Sequence, residues 1–209
     1  MFRSRSSLMI YLGSGLALIA YMAMGAWLPS FFSRIYGLQG AAAGLKTAPV
    51  ILATALGTAL WAVLADRMAL RRPRARLQVT VWCGIATSAI LFPTFMWMTP
   101  GPQQYLLILI GAFMMGSVGG ITTAVAMDVA HPGLRSTAAS MVTLANNLIG
   151  FTLGPFIVGM LSDRIGLQSA LAWVTLFALP AAACLYRASL SYEDDKARID
   201  KLEFTAGAA

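Results

Sequence analysis

Six long stretches of this chain carry no charge in their interior and consist mainly of apolar residues. They are Leu8–Ser33, Thr47–Ala65, Leu77–Met98, Tyr105–Met127, Ser136–Ser162 and Ile165–Arg187, the last ending at its arginine. Roughly 20 apolar residues carry a helix across the hydrocarbon core of a bilayer, so each stretch is long enough to span. A charge at mid-bilayer costs about 2.5–3.5 kcal/mol on insertion scales, which makes six charge-free runs informative. Composition agrees: 58% of residues are hydrophobic and 11% charged, whereas a soluble domain carries about 25% charge. A water-soluble fold and a disordered chain are both excluded. The expectation is an all-α membrane protein, with a six-helix bundle over residues 1–190 and a short, partly helical cytoplasmic tail over residues 191–209.

The first run follows Arg3 and Arg5, as a secretory leader would. Leader cores are only about 7–15 residues long, however, and this run continues to Phe32, so it reads as a retained helix. Basic residues set orientation. If the amino terminus is cytoplasmic, the inner side holds Arg3, Arg5, Arg67, Arg71, Arg72, Arg74, Arg76, Arg135, Arg187, Lys196, Arg198 and Lys201, and the outer side only Arg34, Lys46 and Arg164. Twelve against three places both termini in the cytoplasm, and a bacterial inner membrane is the expected location. The net charge of +7 therefore reflects topology; nucleic acid is not an expected partner, because no basic module lies outside the spans. Cys83 and Cys184 lie within apolar runs, so neither signals a disulfide framework.

An internal repeat organises the spans. Ala41–Leu70 aligns without a gap on Ala138–Leu167, with nine of thirty positions identical, among them Gly57/Gly154, Asp66/Asp163 and Arg67/Arg164. The matched stretches are the second and fifth spans, which run in opposite directions, so the chain reads as an inverted three-plus-three repeat. That architecture is known among transporters. Gly150 and Gly154, Gly40 and Gly44, and Gly116 and Gly120 form G-x-x-x-G steps, which let two helix backbones approach closely. Gly150, Gly154, Pro155 and Gly159 are accordingly candidates for helix packing.

The segment Gly159-Met-Leu-Ser-Asp163-Arg164-Ile-Gly166 reads G-x-x-x-D-R-x-G, and Leu64-Ala65-Asp66-Arg67 with Arg71-Arg72 is its inner counterpart. Here the chain resembles the major facilitator superfamily, whose helix-ending loops carry this acidic-basic pattern. The inner copy departs from it, with Ala62 and Ala69 where glycines are expected. Tyr21, Trp27-Leu28-Pro29-Ser30-Phe31 and Arg34-Ile-Tyr36-Gly37-Leu38 resemble the seventh helix of Spinster-like facilitators and its exit loop. Leu134-Arg135-Ser136-Thr137-Ala138, Asn147-Leu-Ile-Gly150 and Gly154-Pro155 resemble the tenth and eleventh helices. The resemblance covers about residues 10–187 and implies one half, the C-terminal half, of a twelve-helix fold. For Asp66, Arg67, Arg71, Arg72, Asp163, Arg164 and Gly166 it implies gating loops. Topology alone, or an ion pair or helix cap at Asp66, is the competing reading of those residues.

In the same family the first, second, fourth and fifth helices of each half approach the central cavity. That implies Tyr21, Ser117, Thr122, Thr123, Thr143, Asn146 and Asn147 as candidate cavity residues. Asn146 and Asn147 stand out, since buried amides need partners or water; an interhelical hydrogen bond would explain them equally well. Trp27, Trp97 and Trp173 are expected as interfacial anchors. His131 has no second ligand nearby in sequence, so no metal or other cofactor is expected.

No acidic residue lies in the middle of a span, so no ion-coupling residue is visible. An intramembrane protease is the enzyme rival, but its motifs are missing: Gly13-Ser14-Gly15 lacks the preceding glycine, the sole histidine is in a loop, and the aspartates sit at span ends. No enzyme is expected. The expected function is secondary transport of a small organic or amphiphilic solute by alternating access, carried out by a chain that is a truncated or split product needing an N-terminal six-helix half. A half-size transporter that pairs with a second copy, and a non-transporting interaction subunit, are the alternatives.

Overall fold

The computed structural model describes residues 5–206, and Arg3, invoked above for orientation, lies outside them. Among the described residues every regular element is helical: α1 (Arg5–Ile35), α2 (Ala41–Ala69), α3 (Ala75–Trp97), α4 (Pro102–Met115), α5 (Gly119–Asp128), α6 (Arg135–Ala145), α7 (Thr152–Ile165), α8 (Leu167–Thr175) and α9 (Ala178–Ala206). Helix is the only open-ended way for a chain in lipid to satisfy its own backbone groups. Six spans result, Ser6–Ile35, Ala41–Ala69, Ala75–Trp97, Pro102–Asp128, Arg135–Ile165 and Leu167–Tyr192. Most extend beyond the charge-free runs, because a helix end at headgroup level tolerates charge. One difference is larger. The second helix starts at Ala41, not near Thr47, immediately after the positive-φ glycines Gly37 (68°) and Gly40 (54°) reverse the chain. The stretch from residue 191, expected as a short, partly helical tail, is helical to Ala206 as the end of α9, and residues 207–209 lie outside the described residues.

The spans alternate in direction, which fixes two ends. At the end carrying the termini, Ser6 Oγ donates to Asp195, and Arg76 at the start of α3 reaches Asp66 on α2 and Asp128 on α5. At the distal end, Tyr36 after α1 meets Gly101 and Gln104 before and within α4, and Gln168 on α8 donates to the Met98 carbonyl at 2.9 Å. An aromatic cluster of Phe31, Phe32, Phe95, Tyr36 and Tyr105 fills the distal core, with edge-to-face ring pairs 5.2–5.9 Å apart.

The closest helix crossings follow the repeat. A methyl on Gly57 of α2 would strike the Phe113 carbonyl of α4, and one on Gly154 of α7 would lie 2.6 Å from the Ile19 carbonyl of α1. Exchanging first with fourth span and second with fifth turns one crossing into the other. Gly150 and Gly159 also face α1, against Leu18 and Trp27, and the Pro155 carbonyl accepts from Trp27 Nε1 at 3.0 Å. Trp27 is thus tied to α7. The steps at Gly40–Gly44 and Gly116–Gly120 are not packing steps as expected: Gly40, Gly44 and Gly120 have open space where a Cβ would lie, and only Gly116 is in close contact, with α2.

The repeat also shows in burial. Only 22% of the apolar window of α2, and of the fifth span, is buried, against 50% or 56% in the other four spans. Leu52, Leu56 and Leu60 on α2, and Leu148, Phe151 and Phe156 in the fifth span, are exposed.

Candidate functional site

Between α1, α2, the α4–α5 junction and the fifth span lies a cleft of about 340 Å³. The fourth and fifth spans, which line it, are both irregular at mid-length. The fourth breaks into turns between Met115 and Gly119, where Gly116 presses on α2. The fifth loosens into a π-helical turn, Asn146–Phe151, between α6 and α7. Such π turns displace side chains from the regular helical stripe and recur at functional sites. Here the turn begins at the asparagine pair, and the Thr152 hydroxyl donates to the Asn147 carbonyl at 3.0 Å.

Four of the cavity candidates line this cleft: Tyr21 from α1, and Thr143, Asn146 and Asn147 from the fifth span. Thr143 and Asn147 are exposed there, Tyr21 and Asn146 half-buried. Thr58, Met115 and Phe151 complete much of the wall and had no sequence signal beyond their spans. The other three candidates are elsewhere. Ser117 is buried beside the Cys83 thiol, makes no hydrogen bond of normal geometry among the described residues, and lines a separate void of about 10 Å³, at the lower limit for one water. Thr123 donates to the Gly119 carbonyl at 3.2 Å and does not line the cleft. Thr122 is fully buried, with its hydroxyl 2.8 Å from the Val118 carbonyl. Of these three, Ser117 and Thr122 are buried in the bundle, whereas the Thr123 hydrogen bond is exposed.

Thr122 belongs to a polar network that sequence reasoning missed. Fully buried Ser14 on α1 donates to Asn146 Oδ1 at 2.7 Å and lies 3.1 Å from Thr122 Oγ1. The network joins α1, α5 and the π turn, and it occupies the Asn146 carbonyl oxygen, leaving its amide nitrogen without a protein partner among the described residues. The only signal was a hydroxyl, Ser14, between two glycines in the first apolar run.

The gating candidates divide in the same way. Asp66 accepts from Arg76 Nε at 2.9 Å; Arg76 Nη1 reaches Asp128 Oδ2 at 2.6 Å, and the Tyr192 hydroxyl of α9 donates to the same oxygen at 2.9 Å. This links α2, α3, α5 and α9, with the mostly exposed Asp66 side chain as its outer member. Arg76, Asp128 and Tyr192 were not singled out from sequence. Arg67, Arg71 and Arg72 are exposed beside this network, and Asp163 and Arg164 are exposed at the opposite end, where Gly166 (φ 82°) closes α7.

At the distal end Lys46 Nζ lies over the Tyr36 and Tyr105 rings, 4.2 and 5.0 Å from their centroids, while Tyr105 donates to the Lys46 carbonyl at 3.0 Å. A cation held over two ring faces is bound by their quadrupoles. Burial pushes the Tyr36 hydroxyl above its usual range, partly opposed by its backbone contact with Gly101. No group of three or more candidate metal ligands occurs among the described residues.

The fold and cleft together define a polytopic, all-helical membrane protein with a mainly apolar mid-span cleft that carries a few polar groups. The family profile described as Major Facilitator Superfamily matches residues 1–155. The chain belongs to that superfamily, whose members are transporters and not enzymes. It is 29% identical over 211 residues to an "MFS-type efflux pump" of Mycolicibacterium smegmatis, an alignment covering 92% of this chain and 47% of that protein. It is 28% identical over 142 residues to an "Uncharacterized transporter YybO" of Bacillus subtilis, covering 67% of this chain and 33% of the relative. The crystal structure of a bacterial homolog of the human lysosomal transporter Spinster, inward-facing and occupied, superposes with a TM-score of 0.78 at 19% identity. That match covers 92% of this chain and 50% of the other, and it shows the shared fold: one six-helix half. The chain thus spans half or less of the length of these proteins.

Proposed function

We propose that this chain supplies the C-terminal-type half of a major facilitator transporter that moves a small organic or amphiphilic solute by alternating access. The observation that carries the reading is the cleft, in which Tyr21, Thr143, Asn146 and Asn147 converge among apolar walls at mid-span. Amide and hydroxyl groups in such a setting orient a ligand while apolar surface supplies contact. A second six-helix bundle completes the cavity, and the poorly buried faces of α2 and the fifth span are where it docks. The motifs around Trp27-Leu28-Pro29 and Asn147 support assignment to the C-terminal half. The skew of basic residues supports cytoplasmic termini in a bacterial inner membrane, and the name of the mycobacterial relative favours export. Asp66 and Asp163, at opposite ends, are the proposed gate residues.

Proteoliposomes test this directly. The chain is reconstituted alone and with an N-terminal six-helix half, and flux of neutral and cationic fluorescent amphiphiles is followed. Flux that needs both halves and falls at least tenfold in Asn146→Ala and Asn147→Ala is expected. Flux from the chain alone, with a cross-linked dimer, would transfer the reading to self-pairing. Flux indifferent to both asparagines would remove the cleft from the pathway.

A further inference from the structure

The turn between α2 and α3 carries more positive charge than the bundle uses. Both nearby carboxylates, Asp66 and Asp128, are taken by Arg76. Arg67 in the last turn of α2, and Arg71 and Arg72 just beyond it, are exposed and form no ion pair among the described residues. The turn is nonetheless fixed. The amide of Leu70 donates to the Asp66 carbonyl at 3.3 Å, those of Arg71 and Arg72 to Met68 at 3.1 Å, and that of Ala75 to Arg72 at 2.9 Å. Leu70, among these arginines, is 88% exposed.

Length sets the height of this turn. The 29 residues of α2 extend about 43 Å at 1.5 Å per residue. The hydrocarbon core is about 30 Å thick and the whole bilayer about 40–45 Å. A helix of this length centred on the bilayer ends at the level of the lipid phosphates.

We propose that this turn is a docking site for the headgroup of an anionic phospholipid. The guanidinium groups of Arg67, Arg71 and Arg72 take the phosphate oxygens in paired hydrogen bonds, and Leu70 enters the acyl boundary beside them. Guanidinium is suited to phosphate because its donors match two oxygens at once. A free anion would use the arginines but not Leu70; a lipid uses both. The site is independent of which solute the cleft binds and of which half the chain represents.

Native mass spectrometry of the full chain, released from micelles with equal phosphatidylglycerol and phosphatidylcholine, tests the proposal. Preferential retention of phosphatidylglycerol is expected, falling about fivefold for each arginine converted to glutamine in R67Q/R71Q/R72Q. Arg164→Gln at the opposite end leaves the preference unchanged, and Leu70→Ser weakens retention. Thermal unfolding of each variant separates lost binding from lost fold; R71Q/R72Q, which leaves α2 intact, is read if the triple variant unfolds. An unchanged preference in the glutamine variants overturns the proposal. So does displacement of the lipid by glycerol phosphate with no effect of Leu70→Ser, which would make this a site for free anions.

Discussion

Gly57 and Gly154 occupy matching positions in the repeat, and each lies where another helix backbone passes without room for a methyl. In lipid, helices gain little from hydrophobic burial against one another, so close van der Waals contact carries much of the association. Gly154→Ala is expected to cost about 1–3 kcal/mol, the usual range for overpacking against atoms that cannot yield, because the obstruction is the Ile19 carbonyl. Gly120→Ala, with open space around it, is expected to be neutral or stabilising by up to about 1 kcal/mol through helix propensity. Unfolding by titration with a denaturing detergent compares the two. Tyr36 gives a pH test. Its hydroxyl donates to Gln104 Oε1 at 2.9 Å, and its pKa is raised from the ordinary 10.0 by burial first. The fold favours the protonated form, so this contribution is complete below pH 10 and is lost as pH rises through the raised value. Alkaline destabilisation is expected to be shallower in Tyr36→Phe; an identical slope would count against it.

At the scale of the element, the fifth span shows where a sequence reading succeeds and stops. Its charge-free run announced a helix, and Asn146 and Asn147 announced something polar within it. Neither announced the π turn that begins there, because a π turn depends on what neighbouring helices press against it and not on local propensity. Thr122 and Ser117 lie apart from this cleft, Thr122 in the Ser14–Asn146 network and Ser117 beside a small void near Cys83. Cysteine labelling tests the assignment. In a background with Cys83 and Cys184 replaced, Thr143→Cys and Asn147→Cys are expected to react with a small polar maleimide at least tenfold faster than Ser117→Cys and Thr122→Cys. Equal rates would mean that the cleft does not admit solvent.

At the scale of the whole molecule, the two repeat-related elements, α2 and the fifth span, are those with the least burial. Their exposed leucines and phenylalanines face lipid or a second bundle, and the proposed transporter requires that part of this surface meet another half. Orientation is a whole-molecule property as well. With both termini cytoplasmic, reporter fusions at residue 1 and residue 209 are expected to be active only as cytoplasmic reporters, and one after Gly101 only as an external one. Reversal of that pattern would sink the proposed topology. Substituting Arg67, Arg71, Arg72 and Arg74 together should weaken the bias, since orientation follows the count of basic residues near span ends.

The sequence by itself determined the number of spans, their alternation, the pairing of the second with the fifth, and the family resemblance. Those properties follow from length, hydropathy and charge position, each of which acts locally against a uniform bilayer. Tertiary structure alone decided which polar groups share a cleft, that Ser14 holds Asn146, and that Arg76 joins two aspartates from different helices. These depend on helix rotation and breakage, which are fixed by contacts between residues as distant as Ser14 and Asn146, and no local pattern encodes them.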